Sequence, residues 1–402
     1  MKTPLEELQA IVRINSVNGN EEPVIRYLEH LLSEAGIDST VIAHGPKRAN
    51  LVAEIGDGDG PVLAFDGHAD IVAVGDEEKW VHPPFAAEIA DGKLYGRGSS
   101  DMKSGLMAAV LALIKVKQSG QPIHGKIRLL VTVGEELGLL GASQLADLGY
   151  ADDIESLVVC EPSGASRQTV LKMPGIPAGF VQPDGPAEQR FIFIAHKGSL
   201  TYEVRAKGRA AHSSMPELGI NAVKALIDYY EKQEHYFATH KVTDEILGEM
   251  TPVVTMIHGG EQANTVPEKA VLTTKIRTVP ALTNEAILAD LQALIDECNQ
   301  AGDAQLELIV SESAHPVKSS PQAKIAQLAK RIAEKQFNDK LPLIGISGGT
   351  DAAKFIEKNP KMAVIVFGPG NDTSHQTDEY VRVDAYENCL ACYEKIMTEY
   401  FK

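Results

Sequence analysis

Two adjacent glutamates, Glu135 and Glu136, follow the apolar run "RLLVTV" after a single glycine. Carboxylates placed side by side at the buried end of a strand repel one another and lose hydration, so the pair calls for a compensating cation. Further acids and imidazoles stand in equivalent places far away in sequence. His68 and Asp70 end "VLAFDGHAD", Asp101 precedes a long apolar stretch, Glu161 follows "SLVVC", and His375 follows "AVIVFGPGNDTS". Each falls near the end of an expected strand, and in an open α/β sheet the C-terminal edge of the strands is where ligands bind. Seven such residues from five separate segments are too many to be unrelated surface positions. Imidazole and carboxylate donors without a thiolate suit Zn²⁺, Co²⁺ or Mn²⁺. One carboxylate bridging two such ions ~3.5–4 Å apart is the usual arrangement for activating water. The two glutamates would then divide the work. Neighbours on an extended chain point to opposite sides, so Glu136 would ligate an ion. Glu135 would act as general base, taking a proton from the attacking water and passing it to the leaving amine.

Positioning these residues requires a regular scaffold, and the hydrophobic periodicity supplies one. "PLEELQAIVRI" and "EEPVIRYLEHLLSEAG" have helical spacing, the second closed by Gly36. "STVIAH", "NLVAEIG" and "PVLAFDGHAD" read as strands, the last as a fully buried one. "SGLMAAVLALIKVKQ" is a long buried helix, "GKIRLLVTV" a strand, "GASQLADLG" a helix and "SLVVCEP" another strand. Strands alternating with helices predict a doubly wound α/β domain with a mostly parallel sheet. The style then changes: the residues from "FIFIAHKGSLTYEVRAKG" to "AQLELIVS" follow a β-α-β-β-α-β order, that of a ferredoxin-like α+β unit. The α/β style returns with "SPQAKIAQLAKRIAEKQF", "MAVIVFGPG" and a final helix. The expected organisation is therefore a discontinuous catalytic domain, residues 1–197 and 313–402, with an inserted domain at 198–312. No role is assigned to the Pro/Gly-rich stretch at 172–190.

Bulk properties narrow the function classes. A chain of 402 residues exceeds the usual single core, which agrees with two domains. The net charge of −17 argues against a nucleic-acid or anionic-membrane partner. The longest apolar run, Leu106 to Ile114, is about half of the ~20 residues that span a bilayer. The N-terminal residues enter a helical pattern with no apolar signal core, so a cytoplasmic protein is expected. Cys389 and Cys392 form a C-x-x-C inside an amphipathic helical pattern, with no second Cys/His pair. They, with Cys160 and Cys298, are read as ordinary packing residues.

Five segments in order, "FDGHADIV", "GRGSSDMKSGLMAAVLAL", "TVGEELGLLGA", "CEPSG" and "SHQTDEYV", resemble the ArgE/DapE/aminoacylase/carboxypeptidase family of dizinc hydrolases. The resemblance covers essentially the whole chain. It implies that His68 and Glu161 hold one metal, that Glu136 and His375 hold the other, and that Asp101 bridges. It implies that Asp70 orients the His68 imidazole and that the Asp101–Met102 peptide is cis. His212, in "KGRAAHSSMPELGINAV", matches a histidine that enters the neighbouring subunit's site and donates to the oxyanion, which implies a homodimer through the insert. The substrate carboxylates would be met by Lys197, Asn264 and Arg277 and by the loop Gly348, Gly349 and Thr350, whose backbone N–H groups can cradle an anion. The implied activity is hydrolysis of the amide of a small anionic N-acyl amino acid. N-succinyl-LL-2,6-diaminopimelate comes first, and acetylornithine or a dipeptide is the alternative. All five metal positions and Glu135 are intact, which argues against a non-catalytic binding protein. Two departures bear on the substrate. Lys197 stands where the desuccinylase pattern carries arginine, and lysine cannot form a bidentate fork. "GGTDAAKF" leans toward the broader deacylase and carboxypeptidase members.

Overall fold

The computed structural model describes residues 2–171 and 187–402. The chain divides into two compact units. The first comprises Met1–Ala195, Val317–Gly345 and Thr350–Lys402; the second comprises His196–Pro316 and Ile346–Gly349. The short return of the loop residues 346–349 to the second unit has no counterpart in the pattern of the sequence.

The first unit is built on one large sheet. Its order is Ser39–Gly45, Arg48–Ile55, Lys126–Thr132, Val62–His68, Ile154–Val159, Ala363–Val366, Ile192–His196 and Val317–Lys318, with Leu343–Ile346 also paired to Ile192–His196. Its four central strands, from Lys126–Thr132 to Ala363–Val366, run parallel. The flanking pairings of Ser39–Gly45 with Arg48–Ile55, of Arg48–Ile55 with Lys126–Thr132, and of Ile192–His196 with Ala363–Val366 are antiparallel. Every residue of Val62–His68 is buried, as the unbroken apolar run requires of a strand covered on both faces. Phe65 packs edge-on against Tyr393 of the last helix, Val383–Glu399. Alternation along the strand then sends Asp66 and His68 to the opposite face from Phe65.

The helix Lys103–Ser119 is buried almost all round, because it lies between the sheet and the helix Val383–Glu399. Its first turn passes close to the end of Ile154–Val159. A Cβ on Gly105 would stand 1.9 Å from the Cys160 carbonyl oxygen, so only glycine lets that helix and strand end approach. Cys160, Cys389 and Cys392 are buried free thiols, Cys298 is half-buried, and the C-x-x-C lies within the last helix.

The second unit is a four-stranded antiparallel sheet in the order Thr251–Gly259, Lys269–Thr278, Gly198–Lys207, Gln305–Ala314. Helices Ala222–Thr239 and Asn284–Ala301 cover one face. The covering face is carried by Leu200, Tyr202, Val204, Leu272 and Ile276, all buried against Leu226, Tyr229, Ile287, Leu291 and Ile295. This is the ferredoxin-like strand order that the β-α-β-β-α-β pattern predicts. Among the described residues no helix is long and apolar enough to cross a membrane. Within the stretch 172–190, Glu188–Arg190 pairs with Gly164–Ser166; residues 172–186 lie outside the described residues.

Candidate metal centre

The C-terminal edge of the parallel strands gathers the residues singled out by type and spacing. His68 ends its own strand, and Glu161 stands two residues past Val159. Asp101 precedes the buried helix, through an Asp101–Met102 peptide that is cis. The two Asp101 oxygens face different imidazoles: Oδ1 lies 3.1 Å from His68 Nε2, and Oδ2 lies 3.4 Å from His375 Nε2. His68 Nε2 is also 3.3 Å from Glu161 Oε1, and His375 Nε2 is 2.8 Å from Glu136 Oε1. Three groups of donor atoms each converge to within 4.8 Å: His68–Asp101–Glu161, Asp101–Glu136–His375 and His68–Glu135–Glu136. The first two overlap at Asp101, as a bridging carboxylate requires.

The donor chemistry fits divalent cations. Asp101, Glu135, Glu136 and Glu161 crowd around two imidazoles, and the electrostatics of the set are correspondingly extreme. Burial raises the Glu161 carboxyl to about 8, with Asp101 adding to it. Burial also pushes Glu135 well above the usual carboxylate range. Burial opposes a charge on His68, yet Glu161, Asp101 and Asp70 hold it well above an ordinary imidazole. Asp101 and Glu136 raise His375 to about 10. Burial works against the Asp101 charge, but His375 and His68 hold its carboxyl well below the usual range. A set in which several acids want protons while others demand a counter-charge is one that cations would relieve.

Two expectations about local geometry change. Glu135 and Glu136 are not on extended chain. They open a single 3₁₀ turn, Glu135–Leu137, between Gly134 and Gly138, both of which have positive φ. On such a turn neighbours splay by about 120° rather than 180°, so both carboxylates come within reach of His68. Asp70 also acts differently from a simple imidazole clamp. His68 Nδ1 lies 3.0 Å from the Asp70 carbonyl oxygen and 3.6 Å from its carboxylate. The carboxylate instead accepts the backbone N–H groups of Glu135 and Glu136, each at 3.2 Å. Asp70 therefore ties the His68 strand to the glutamate turn.

Beneath His68 lie two acids that the motif reading did not assign. Asp66 shares the His68 strand face and is buried, and neither of its carboxylate oxygens has a hydrogen-bond partner among the described residues. Asp351, the last residue of "SGGTD", accepts a hydrogen bond from Thr132 Oγ1 at 2.5 Å, and burial raises it to about 7. The signal available was an aspartate inside the apolar run "VLAFDGH". Thr350 is buried, and its hydroxyl accepts the N–H of Ala352 at the start of helix Ala352–Lys358.

The second unit holds the remaining candidates in two groups. Ser199 pairs with Arg277 across the ladder, and Lys197 precedes Ser199 by two residues, so the Lys197 and Arg277 side chains share one sheet face. Neither is paired with a carboxylate among the described residues. Lys197 Nζ donates to the Glu249 carbonyl. The Lys197 N–H donates to Ile346, which brings Gly349 to within 3.8 Å of the Lys197 carbonyl. Asn264 is elsewhere. Its carbonyl accepts the Ser213 N–H, and His212 bridges to Thr265, so Asn264 and His212 sit together beyond the Lys207–Lys269 end of the same ladder. Eight residues of extended chain put roughly 27 Å between the two groups. His212 Nδ1 accepts the Ser214 N–H at 3.2 Å, which leaves Nε2 as the donor of the neutral, exposed ring.

Comparisons with known proteins agree with this geometry. The sequence profile described as peptidase family M20/M25/M40 matches residues 64–399. A protein of Staphylococcus aureus (strain MRSA252) named "Probable succinyl-diaminopimelate desuccinylase" is 34% identical, with 100% of this chain and 98% of that protein covered. Among solved structures, aminopeptidase PepT from Bacillus cereus superposes with a TM-score of 0.75 at 19% identity, covering 99% of this chain and 98% of that one. The YXEP protein of Bacillus subtilis, described as a dinuclear metal binding peptidase, superposes with a TM-score of 0.69 at 16% identity over 99% and 97% of the two chains. With the profile matching most of its length and a full-length relative at that identity, the chain belongs to peptidase family M20/M25/M40 and is an enzyme acting on amide bonds.

Proposed function

We propose that this enzyme removes the acyl group from a small anionic N-acyl amino acid, with N-succinyl-LL-2,6-diaminopimelate as the substrate, in the cytoplasm. The observation that carries the reading is the pair of overlapping donor groups that share Asp101, with Glu135 beside them. His68 and Glu161 would hold one divalent ion, Zn²⁺ before Co²⁺ or Mn²⁺, Glu136 and His375 the other, and Asp101 both. Two such ions supply Lewis acidity, polarising the amide carbonyl and making water acidic enough to attack at neutral pH. Glu135 accepts the proton of the attacking water and returns it to the leaving nitrogen, a task suited to a carboxyl whose affinity for protons burial has raised. Asp70 keeps Glu135 and Glu136 in place through their backbone N–H groups. His212, protonated on Nε2, donates to the carbonyl oxygen as it gains charge.

Lys197 and Arg277 support an anionic substrate. Two cations on one sheet face without a carboxylate partner form a site for the substrate carboxylates, beside the backbone of Gly348 and Gly349. The distance between this group and His212–Asn264 supports a homodimer through the inserted unit. One small molecule cannot touch both groups of a single chain, so a second copy would supply His212 and Asn264. Acetylornithine or a dipeptide is the second reading, favoured by Lys197, which offers a point charge where a fork would grip a carboxylate in two places. The test is a mass-spectrometric assay of the zinc-loaded protein on the succinyl substrate, acetylornithine and a dipeptide panel. Release of succinate, retained or increased in Lys197→Arg, is expected. Cleavage of acetylornithine or dipeptides with the succinyl compound untouched would transfer the proposal to the second reading.

A further inference from the structure

Arg97 and Glu379 form an ion pair 2.6 Å long that is almost wholly withdrawn from solvent. Neither belongs to the donor set, yet each grips a segment that carries a donor. The second carboxylate oxygen of Glu379 accepts the backbone N–H groups of Ser100 at 2.9 Å and Asp101 at 3.0 Å. The guanidinium of Arg97 donates to the Gln376 carbonyl at 3.1 Å and to the His375 carbonyl at 3.4 Å. The Glu379 carbonyl completes the seam by accepting the N–H of Gly96 at 2.9 Å. Trp80 covers the outside, its ring 5.0 Å from the guanidinium carbon.

Stability alone is a poor reason for such a pair. Burying two charges costs several kcal/mol of hydration, and apolar residues of similar size are often no less stabilising. Direction is what the pair provides. His375 has φ +65°, a region that residues other than glycine seldom occupy, and its side chain is exposed. Its ring therefore has little packing to aim it, and its backbone must be held from behind. Arg97 does this through two carbonyls, while Glu379 holds the backbone of Asp101 from the same point.

We propose that Arg97 and Glu379 are positioning residues that fix the spacing between Asp101 and His375, and so set the affinity of the ion held by Asp101, Glu136 and His375. The inference rests on the two-ion reading above. Because the other ion also has His68 and Glu161, the effect is asymmetric between the two ions.

The test is Co²⁺ binding to the metal-stripped protein, followed by calorimetry and by the visible absorption of the bound ion. Glu379→Gln keeps the shape but removes the charge that the guanidinium and two N–H groups share. It is expected to weaken one Co²⁺ by roughly 10–100-fold, the usual effect of losing a partner that orients a ligand, and to change that ion's spectrum. The other ion should shift by less than about threefold on the same basis. Arg97→Lys, which keeps the charge without the fork, should fall between wild type and Glu379→Gln, and it serves alone if the latter does not fold. Arg128→Gln is the control. It removes a comparable ion-pair centre with Glu54 and Asp153 at the far end of the sheet, and should lower the melting temperature without separating the two ions. Equal weakening of both ions, or unchanged affinity in both Glu379→Gln and Arg97→Lys, would overturn the proposal. A wild-type protein that takes up no second Co²⁺ would overturn the two-ion reading with it.

Discussion

Asp101 has one oxygen toward each imidazole, and the roles of the neighbouring acids follow from that placement. Glu136 is paired with His375, whereas Glu135 has no such partner and has the higher affinity for protons. Glu135→Gln should retain both ions and lose about 10²–10⁴-fold in kcat, while Glu136→Gln should lose metal as well as turnover. Metal analysis of the two variants checks this, and equal metal loss in both would contradict it. Proton linkage gives a second expectation. A metal-bound imidazole must be neutral, but in the metal-stripped protein His68 and His375 hold protons well above pH 6.5, as does Glu161 to about 8. Binding at pH 7 must therefore expel protons, and affinity is lost as pH falls. Between pH 6 and 8 it should rise about tenfold per unit for each proton released, which calorimetry in buffers of different ionisation enthalpy measures. A flat affinity above pH 6.5 would contradict these protonation states. At this scale the sequence revealed donors, because His and Glu at strand ends are conspicuous. It did not reveal Asp66, Asp351, Arg97 or Glu379, because a charged residue looks the same in a sequence whether solvated or buried.

The elements that carry the donors were legible where an apolar run is long and sharply bounded, as in "PVLAFDGHAD" and the helix after Asp101. Short pieces were not. The 3₁₀ turn Glu135–Leu137 is three residues between glycines, too brief for any periodicity. The sheet of Ile89–Ala90, Lys93–Tyr95 and Tyr380–Arg382 joins strands of two or three residues from opposite ends of the chain. Its partners are set by tertiary packing rather than local pattern. Close approach between elements is equally silent in sequence, and Gly105 is the place to measure it. Gly105→Ala would drive a methyl into the Cys160 carbonyl and force apart the helix start and the strand end that carry Asp101 and Glu161. The expected cost is about 2–3 kcal/mol, seen as a lower melting temperature, together with reduced metal content. A variant as stable as wild type would show that this contact does not set the spacing.

For the molecule as a whole, the change from parallel α/β alternation to a β-α-β-β-α-β order was readable because the two styles differ in hydrophobic period and burial. The switch of residues 346–349 to the second unit was not, since four small or polar residues carry no packing signal. The wide separation of Lys197–Arg277 from His212–Asn264 emerges only from strand register. It leads to a prediction for the assembled enzyme. His212→Ala and Glu135→Gln homodimers, each inactive, should regain activity when their subunits exchange, because one site of the mixed dimer then has both an intact base and an intact histidine. Absence of rescue despite demonstrated exchange would place His212 in its own subunit's chemistry or outside it.

The central claim is that one edge of one sheet holds two ions through a shared aspartate. Anomalous diffraction at the cobalt edge from Co²⁺-loaded crystals tests it most directly. Two peaks are expected about 3.5–4 Å apart, one among His68, Asp101 and Glu161 and the other among Asp101, Glu136 and His375. A single peak at full occupancy, or a pair that does not share Asp101, would contradict the account.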